Sequence, residues 1–253
     1  MNAAAASPTW ILNLARRAEV AERTLEFRFA KPADMTFKAG QFMDLTLIDP
    51  PETDAEGNTR GFSINGAPDD PDLIFTTRLR DTAFKRVLQS MPLATPVKFE
   101  GPFGSFTLHN NASRPAVLLA GGIGITPFRS IVRRAAHEKL QHRIFLFYAN
   151  RRPEDAPFLD EMRALEQQNP HFTFIPAMTQ MSHSHLPWTA ETGHLGRDVL
   201  SKYLKNATST GNPLAGPIYY IAGPPKMVAG LRVMLNNAGL DDDDIRAEEF
   251  SGY

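Results

Sequence analysis

The sequence predicts two domains in series: a small antiparallel β-barrel, then an α/β domain built on a doubly wound parallel sheet. Three observations predict this. The first half carries short strands that alternate apolar and polar residues, as half-buried antiparallel strands do. The second half carries continuous apolar runs separated by helical patterns, as parallel strands covered on both faces do. Between them the polar stretch Asn110-Asn111-Ala112-Ser113-Arg114-Pro115 breaks both patterns.

In the first half, Thr24-Leu25-Glu26-Phe27-Arg28-Phe29 alternates cleanly. A second strand follows Ala39-Gly40 over 41–48, and a loop rich in Pro, Asp, Glu and Gly covers 50–59. Strands at Phe75-Thr76-Thr77-Arg78 and Val97-Lys98-Phe99-Glu100 flank a short helix at 83–91. Many short strands around one helix suggest a barrel. In the second half, apolar strands are expected at 117–120, 144–148, 172–175 and 218–222. Helices are expected at 127–139, 156–168, 197–205 and 226–238, the last stopped by Gly239. The domains therefore divide as 8–111 and 112–253.

Composition narrows the function. The chain has 253 residues, a formal net charge of -1 and no cysteine. Near-neutrality argues against nucleic acid as a main partner. Without cysteine there are no disulfides, thiolate nucleophiles or cysteine-held iron–sulfur clusters in this polypeptide. No apolar run approaches the ~20 residues of a membrane span. The N-terminal stretch lacks the charged start and apolar core of a secretory signal. A cytoplasmic protein is expected.

Three segments carry chemistry. In Gly121-Gly122-Ile123-Gly124-Ile125-Thr126-Pro127, an apolar strand runs into a glycine turn and then a helix. Thr126 suits an N-cap and Pro127 the first helical position. The free N–H groups there would meet a pyrophosphate; an ordinary strand-to-helix turn is the alternative. Arg60-Gly61-Phe62-Ser63 offers a cation for phosphate, a flat aromatic face and a hydroxyl; a surface arginine on an alternating strand is the alternative. Ala222-Gly223-Pro224-Pro225 is a rigid turn after an apolar strand, where a nicotinamide could lie.

Taken in order, these segments resemble the ferredoxin–NADP reductase family of flavin-dependent oxidoreductases, without an iron–sulfur domain. Arg60-Gly61-Phe62-Ser63 resembles its Arg-x-(Tyr/Phe)-(Ser/Thr) flavin motif. Phe37-Lys38-Ala39-Gly40-Gln41-Phe42 is similar to its approach strand, and Gly101-Pro102-Phe103-Gly104-Ser105-Phe106 to the end of its barrel. The glycine turn and Ala222-Gly223-Pro224-Pro225-Lys226-Met227 match its nicotinamide-dinucleotide segments, and Glu248-Glu249-Phe250 its C-terminal Glu-x-aromatic.

The resemblance implies an FAD held by the barrel and NADH or NADPH held by the α/β domain. Arg60 would grip the flavin pyrophosphate, Phe62 would pack on the ring, and Ser63 would touch N5, with Gly61 and Ile64 beside them. Thr77 and Arg78 would add flavin contacts. Thr82, Ala83, Phe84 and Lys85 stand where the family usually has Gly-x-x-Ser at the phosphate-binding helix start; Lys85 and backbone amides would substitute. Phe62 replaces a commoner tyrosine, and Ala222 a commoner cysteine. Gly121, Gly122, Gly124, Thr126, Pro127, Asn150, Arg151, Ala222, Gly223, Pro224 and Met227 would hold the nicotinamide dinucleotide. Glu248 would relay a proton or orient nicotinamide, and Phe250 or Tyr253 would cover the flavin; a plain edge strand over 245–250 is the alternative.

The implied reaction is hydride transfer from nicotinamide C4 to flavin N5, then release of single electrons to a separate ferredoxin, flavodoxin or oxygenase component. The alternatives are a free-flavin or ferric-chelate reductase, and a flavin-binding sensor or electron-transfer subunit without turnover. Arg129, Arg133 and Arg134 form a basic helix face that could receive an acidic partner, or simply be solvated. Residues 178–192 contain no Arg or Lys, which tilts the expectation toward NADH even though Arg151 and Arg152 follow the preceding strand. His183, His185 and His194 read as a polar loop and not as a metal site.

Overall fold

In the computed structural model, which describes residues 7–207 and 211–251, the first half forms one six-stranded antiparallel sheet. Its strands are β1 (Thr9–Ala21), β2 (Thr24–Ala30), β3 (Phe42–Leu47), β4 (Thr59–Ser63), β5 (Asp72–Arg78) and β6 (Pro96–Phe103), with helix α1 (Ala83–Ser90) between the last two. The spatial order is β4-β3-β6-β1-β2-β5. The sheet curls until its edges meet, where the Asn65 amide donates to the Ile74 carbonyl at 2.9 Å. Inward-facing Phe27, Phe29, Phe62, Phe75 and Phe99 fill it, joined by Phe84 and Leu88 from α1.

The second half is a parallel sheet in the order β10-β9-β8-β7-β11-β12. Its strands are β7 (Ala116–Gly121), β8 (Ile144–Asn150), β9 (Phe172–Met178), β10 (Glu191–Thr192), β11 (Ile218–Gly223) and β12 (Ile245–Glu249). Helices α2 (Ile125–His137) and α3 (Leu159–Gln168) cover one face; α4 (Arg197–Leu204) and α5 (Pro225–Asn237) cover the other. Alternation along β7 explains why its run is wholly apolar: Leu118 and Ala120 face α2, while Val117 and Leu119 face α5. The strand order reverses between β7 and β11, the switch point where such sheets bind ligands beyond their strand ends.

Several expectations need correction. Helix α2 does not begin on a Thr126 N-cap. A 3-10 turn over Gly122–Gly124 feeds directly into it, and the Thr126 hydroxyl donates backward to the Ile123 carbonyl at 3.0 Å. Helix α3 starts three residues later than expected, because 153–155 form a separate 3-10 turn and Phe158 adopts a left-handed conformation. Strand β1 is an addition, and its outward-facing residues hide the apolar alternation.

The basic helix face is neither a docking surface nor a solvated one. Arg129 is 3% exposed, and its Nη1 meets Glu26 of β2 at 2.9 Å. Its Nε meets Glu161 of α3 at 2.8 Å, and its guanidinium lies 4.1 Å from the centre of the Phe158 ring. Arg133 bridges Asp70 and Glu161, each at 2.7 Å. Between these arginines Ser130 donates to the Gly66 carbonyl at 2.6 Å. One side of α2 is thus the joint between barrel and sheet. Arg134 alone stays outside, paired with Glu138.

Removing one partner of a buried ion pair leaves the other charge without compensation. Arg129→Ala should therefore lower the stability of the chain by about 3 kcal/mol in urea unfolding. A loss under about 1 kcal/mol would mean the joint contributes no more than a surface ion pair.

Candidate functional site

Strand β4 feeds two adjoining cavities because its side chains alternate. Gly61 and Ser63 line one, of about 300 Å³, together with Phe42, Glu248, Glu249, Phe250 and Ser251. Arg60 and Phe62 line the other, also about 300 Å³, with Glu56, Arg80, Thr82 and Lys85. Gly61 and Ser251 belong to both. The structure therefore brings Ser63 of the barrel into one cleft with Glu248 and Phe250 of the parallel sheet.

Register sets the sheet side of this cleft. In the parallel pairing of β11 with β12, Ala222 lies opposite Glu248 and Gly223 opposite Glu249. The Phe250 amide then donates to the Gly223 carbonyl at 2.9 Å, extending the ladder beyond β12. Burial pushes the Glu248 carboxyl up to about 7. Tyr253 lies outside the described residues.

On the barrel side, Phe62 departs from expectation. It is 8% exposed and packs into the barrel core, its ring centre 4.7 Å from that of Phe75. Lys85 Nζ sits 5.3 Å from the ring centre, so Phe62 offers the cavity a rim and not an open face. Ile64 is also core, and its amide is committed to the Gln41 carbonyl. Lys85 Nζ donates to the Thr77 hydroxyl. Burial, reinforced by the charges of Arg60 and Arg80, pulls the Lys85 ammonium down to about 7. Thr82 caps α1 by accepting from the Lys85 amide at 3.3 Å, with Ala83 and Phe84 buried behind it. Arg78 is a joint residue: it donates to the Asp155 carbonyl across the two halves.

Arg60 is fully engaged. Its Nη1 donates to the carbonyls of Glu56, Gly57 and Thr59 at 2.8–3.0 Å. Its Nη2 meets Glu56 at 2.8 Å and Asp54 at 3.4 Å. The other oxygen of Asp54 accepts from the Ala83 amide at the start of α1, at 3.1 Å. Asp54 and Arg80 carry no signal of a role in the sequence. The first sits in a loop without periodicity, and the second reaches the cavity only because the barrel curls.

On the sheet side the glycines divide their work. A Cβ on Gly124 would overlap the Ala222 carbonyl, and one on Gly121 would overlap the Met227 sulfur and approach Pro224. Both therefore let the turn after β11 pack onto the turn after β7. Gly122 differs: its φ is +53° and nothing lies within 4 Å of where its Cβ would be. That open backbone, at the mouth of α2, fits a diphosphate. Thr126 is buried inside the helix's first turn, and so is Pro127. Asn150 ends β8, its carbonyl accepting both the amide and the hydroxyl of Thr179.

Beyond β8, Arg151 is exposed, but Arg152 is taken by Asp155 at 2.9 Å and Glu22 at 2.5 Å. The Glu154 carboxylate accepts from the Ser184 hydroxyl at 2.8 Å and the His185 amide at 2.9 Å. Among the described residues no helix is long and apolar enough to cross a membrane.

Comparison with known proteins agrees with this architecture. Residues 118–232 match the oxidoreductase NAD-binding domain. The chain is 27% identical over 212 residues to ferredoxin–NADP reductase B of Sorangium cellulosum, covering 83% of each protein. It is 27% identical over 218 residues to reductase component 2 of terephthalate 1,2-dioxygenase from Comamonas sp., covering 85% of this chain and 60% of that protein. The chain thus spans about three-fifths of the length of that oxygenase reductase. The crystal structure of a ferredoxin NADP+ reductase from Neisseria gonorrhoeae with bound FAD and NADP shares the fold, with a TM-score of 0.76 at 21% identity over 95% of this chain and 98% of that one. Residues 118–232 thus match an oxidoreductase NAD-binding domain, and the chain that carries them behind an antiparallel barrel is similar in sequence and in fold to ferredoxin–NADP reductases.

Proposed function

We propose that this chain is an NAD(P)H-dependent flavin oxidoreductase that binds FAD between barrel and sheet and delivers electrons to a separate acceptor. The observation that carries the reading is the shared cleft of Ser63, Glu248 and Phe250, which unites residues 185 positions apart on two different sheets. A flavin bound there would convert a two-electron hydride donor into a source of single electrons. The acceptor would be a ferredoxin, a flavodoxin or an oxygenase component, since relatives include reductase components of oxygenases.

The chain's own residues would do the following. Gly122 and the backbone of the 3-10 turn that leads into α2 would receive the diphosphate of the nicotinamide dinucleotide. The Ser63 hydroxyl would hydrogen-bond the flavin ring, and Phe250 would close the cleft from the sheet side. Glu248, its carboxyl raised to about 7 by burial, would be partly protonated at neutral pH and would orient the nicotinamide. The cations Lys85, Arg80 and Arg60 would face the flavin diphosphate. NADH is the favoured donor: Arg152 is neutralised by two carboxylates, Glu154 adds a negative charge beside it, and 178–192 supplies no cation. A second reading, a free-flavin reductase, is favoured by one observation, the engagement of Arg60 by Asp54 and Glu56.

The decisive measurement is the anaerobic visible spectrum of the purified protein before and after NADH or NADPH. A yellow protein bleached preferentially by NADH is expected; one that neither nucleotide bleaches would overturn the reading. Ser63→Ala should retain FAD but bleach about tenfold more slowly, the worth of one hydrogen bond. Unchanged stopped-flow traces would remove Ser63 from the site.

Glu248 makes a separate pH prediction. Its folded carboxyl titrates near 7, above the unfolded value of 4.5, so folding takes up a proton between these values. Its contribution to stability should therefore fall as pH rises from 4.5 and be gone above about 7. Thermal melting across this range should show that decline in the parent chain and a flatter curve in Glu248→Gln.

A further inference from the structure

The second cavity has the chemistry of an anion site. Arg60, Arg80 and Lys85 line it, and Thr82, which caps α1, lies on its wall. A helix N-terminus and a guanidinium are the two donors that a phosphate group takes most readily. In this structure both already hold an anion supplied by the chain. Asp54 Oδ2 accepts from the Ala83 amide, the first of α1, at 3.1 Å. Asp54 Oδ1 takes Arg60 Nη2 at 3.4 Å. The loop carrying Asp54 is tied down further by Arg60, which donates to the carbonyls of Glu56, Gly57 and Thr59.

We propose that Asp54 is a specificity-determining residue that stands in for a phosphate between Arg60 and the start of α1. The inference rests on the flavin reading above and deepens it. A ligand bringing a diphosphate to these donors must displace the Asp54 carboxylate or share Arg60 with it, at a cost in affinity. A flavin without phosphate meets no such competition. Asp54 therefore narrows the preference of the site for FAD over riboflavin, which is how one fold could lean toward a loosely held or exchanging flavin.

Substituting Asp54→Asn removes the negative charge and keeps an acceptor oxygen for the Ala83 amide. Binding is read by quenching of flavin fluorescence, on the full chain freed of flavin by dialysis, with FAD and with riboflavin. FAD should bind about tenfold more tightly to Asp54→Asn than to the parent, and riboflavin within twofold of the parent. Asp54→Ala, checked for folding by thermal melting, should move FAD in the same direction. Unchanged or weaker FAD binding in both variants overturns the proposal, and so does an equal gain for riboflavin. A parent chain that binds neither flavin would instead sink the flavin reading itself, and this inference with it.

Discussion

The geometry of the cleft depends on one buried guanidinium. Arg129 leaves the middle of α2 and ends between Glu26 of the barrel and Glu161 of its own half. Burying such a charge is costly unless every donor is met, and here the two carboxylates and the Phe158 ring meet it together. The helix that opens on the glycine turn at its N-terminus is the same helix that grips the barrel along its side. Ser130 and Arg133 repeat the grip at Gly66 and Asp70. One rigid element therefore fixes the glycine turn relative to β4.

The C-terminal strand completes the arrangement from the opposite direction. Parallel pairing with β11 leaves Glu248 no freedom to slide, because its neighbour in the ladder is Ala222, and the Ala222 carbonyl is pressed against Gly124. The carboxyl that faces Ser63 is thus tied through two backbone contacts to the turn at the mouth of α2. Its burial in that cleft raises its proton affinity, so position and protonation share one cause.

Much of this was legible in the sequence. Apolar runs and alternation separate a parallel from an antiparallel half, and the glycine turn, Ser63 and Glu248 stand out by type and context. What escaped was tertiary. Phe62 looks like an available aromatic, but the barrel has room for it inside, beside Phe75 and Phe84, so burial outweighs display. The arginines of α2 look like a solvent face because their partners, Glu26, Asp70 and Glu161, are distant in sequence. Thr126 has the right side chain for a cap, but a 3-10 turn before it moves the helix start two residues earlier. Asp54 lies in a loop with no period to betray which way a carboxylate turns.

The double use of α2 bears on how chains of this type can be recombined. A chimera joined between the two halves would carry Arg129, Ser130 and Arg133 into a foreign barrel and leave Glu26, Gly66 and Asp70 behind. Even with the glycine turn and every residue lining the cleft intact, the hybrid would bury a guanidinium opposite whatever the new barrel presents. The transferable unit is therefore α2 together with its seat on the barrel, and that seat lies outside any boundary drawn along the sequence.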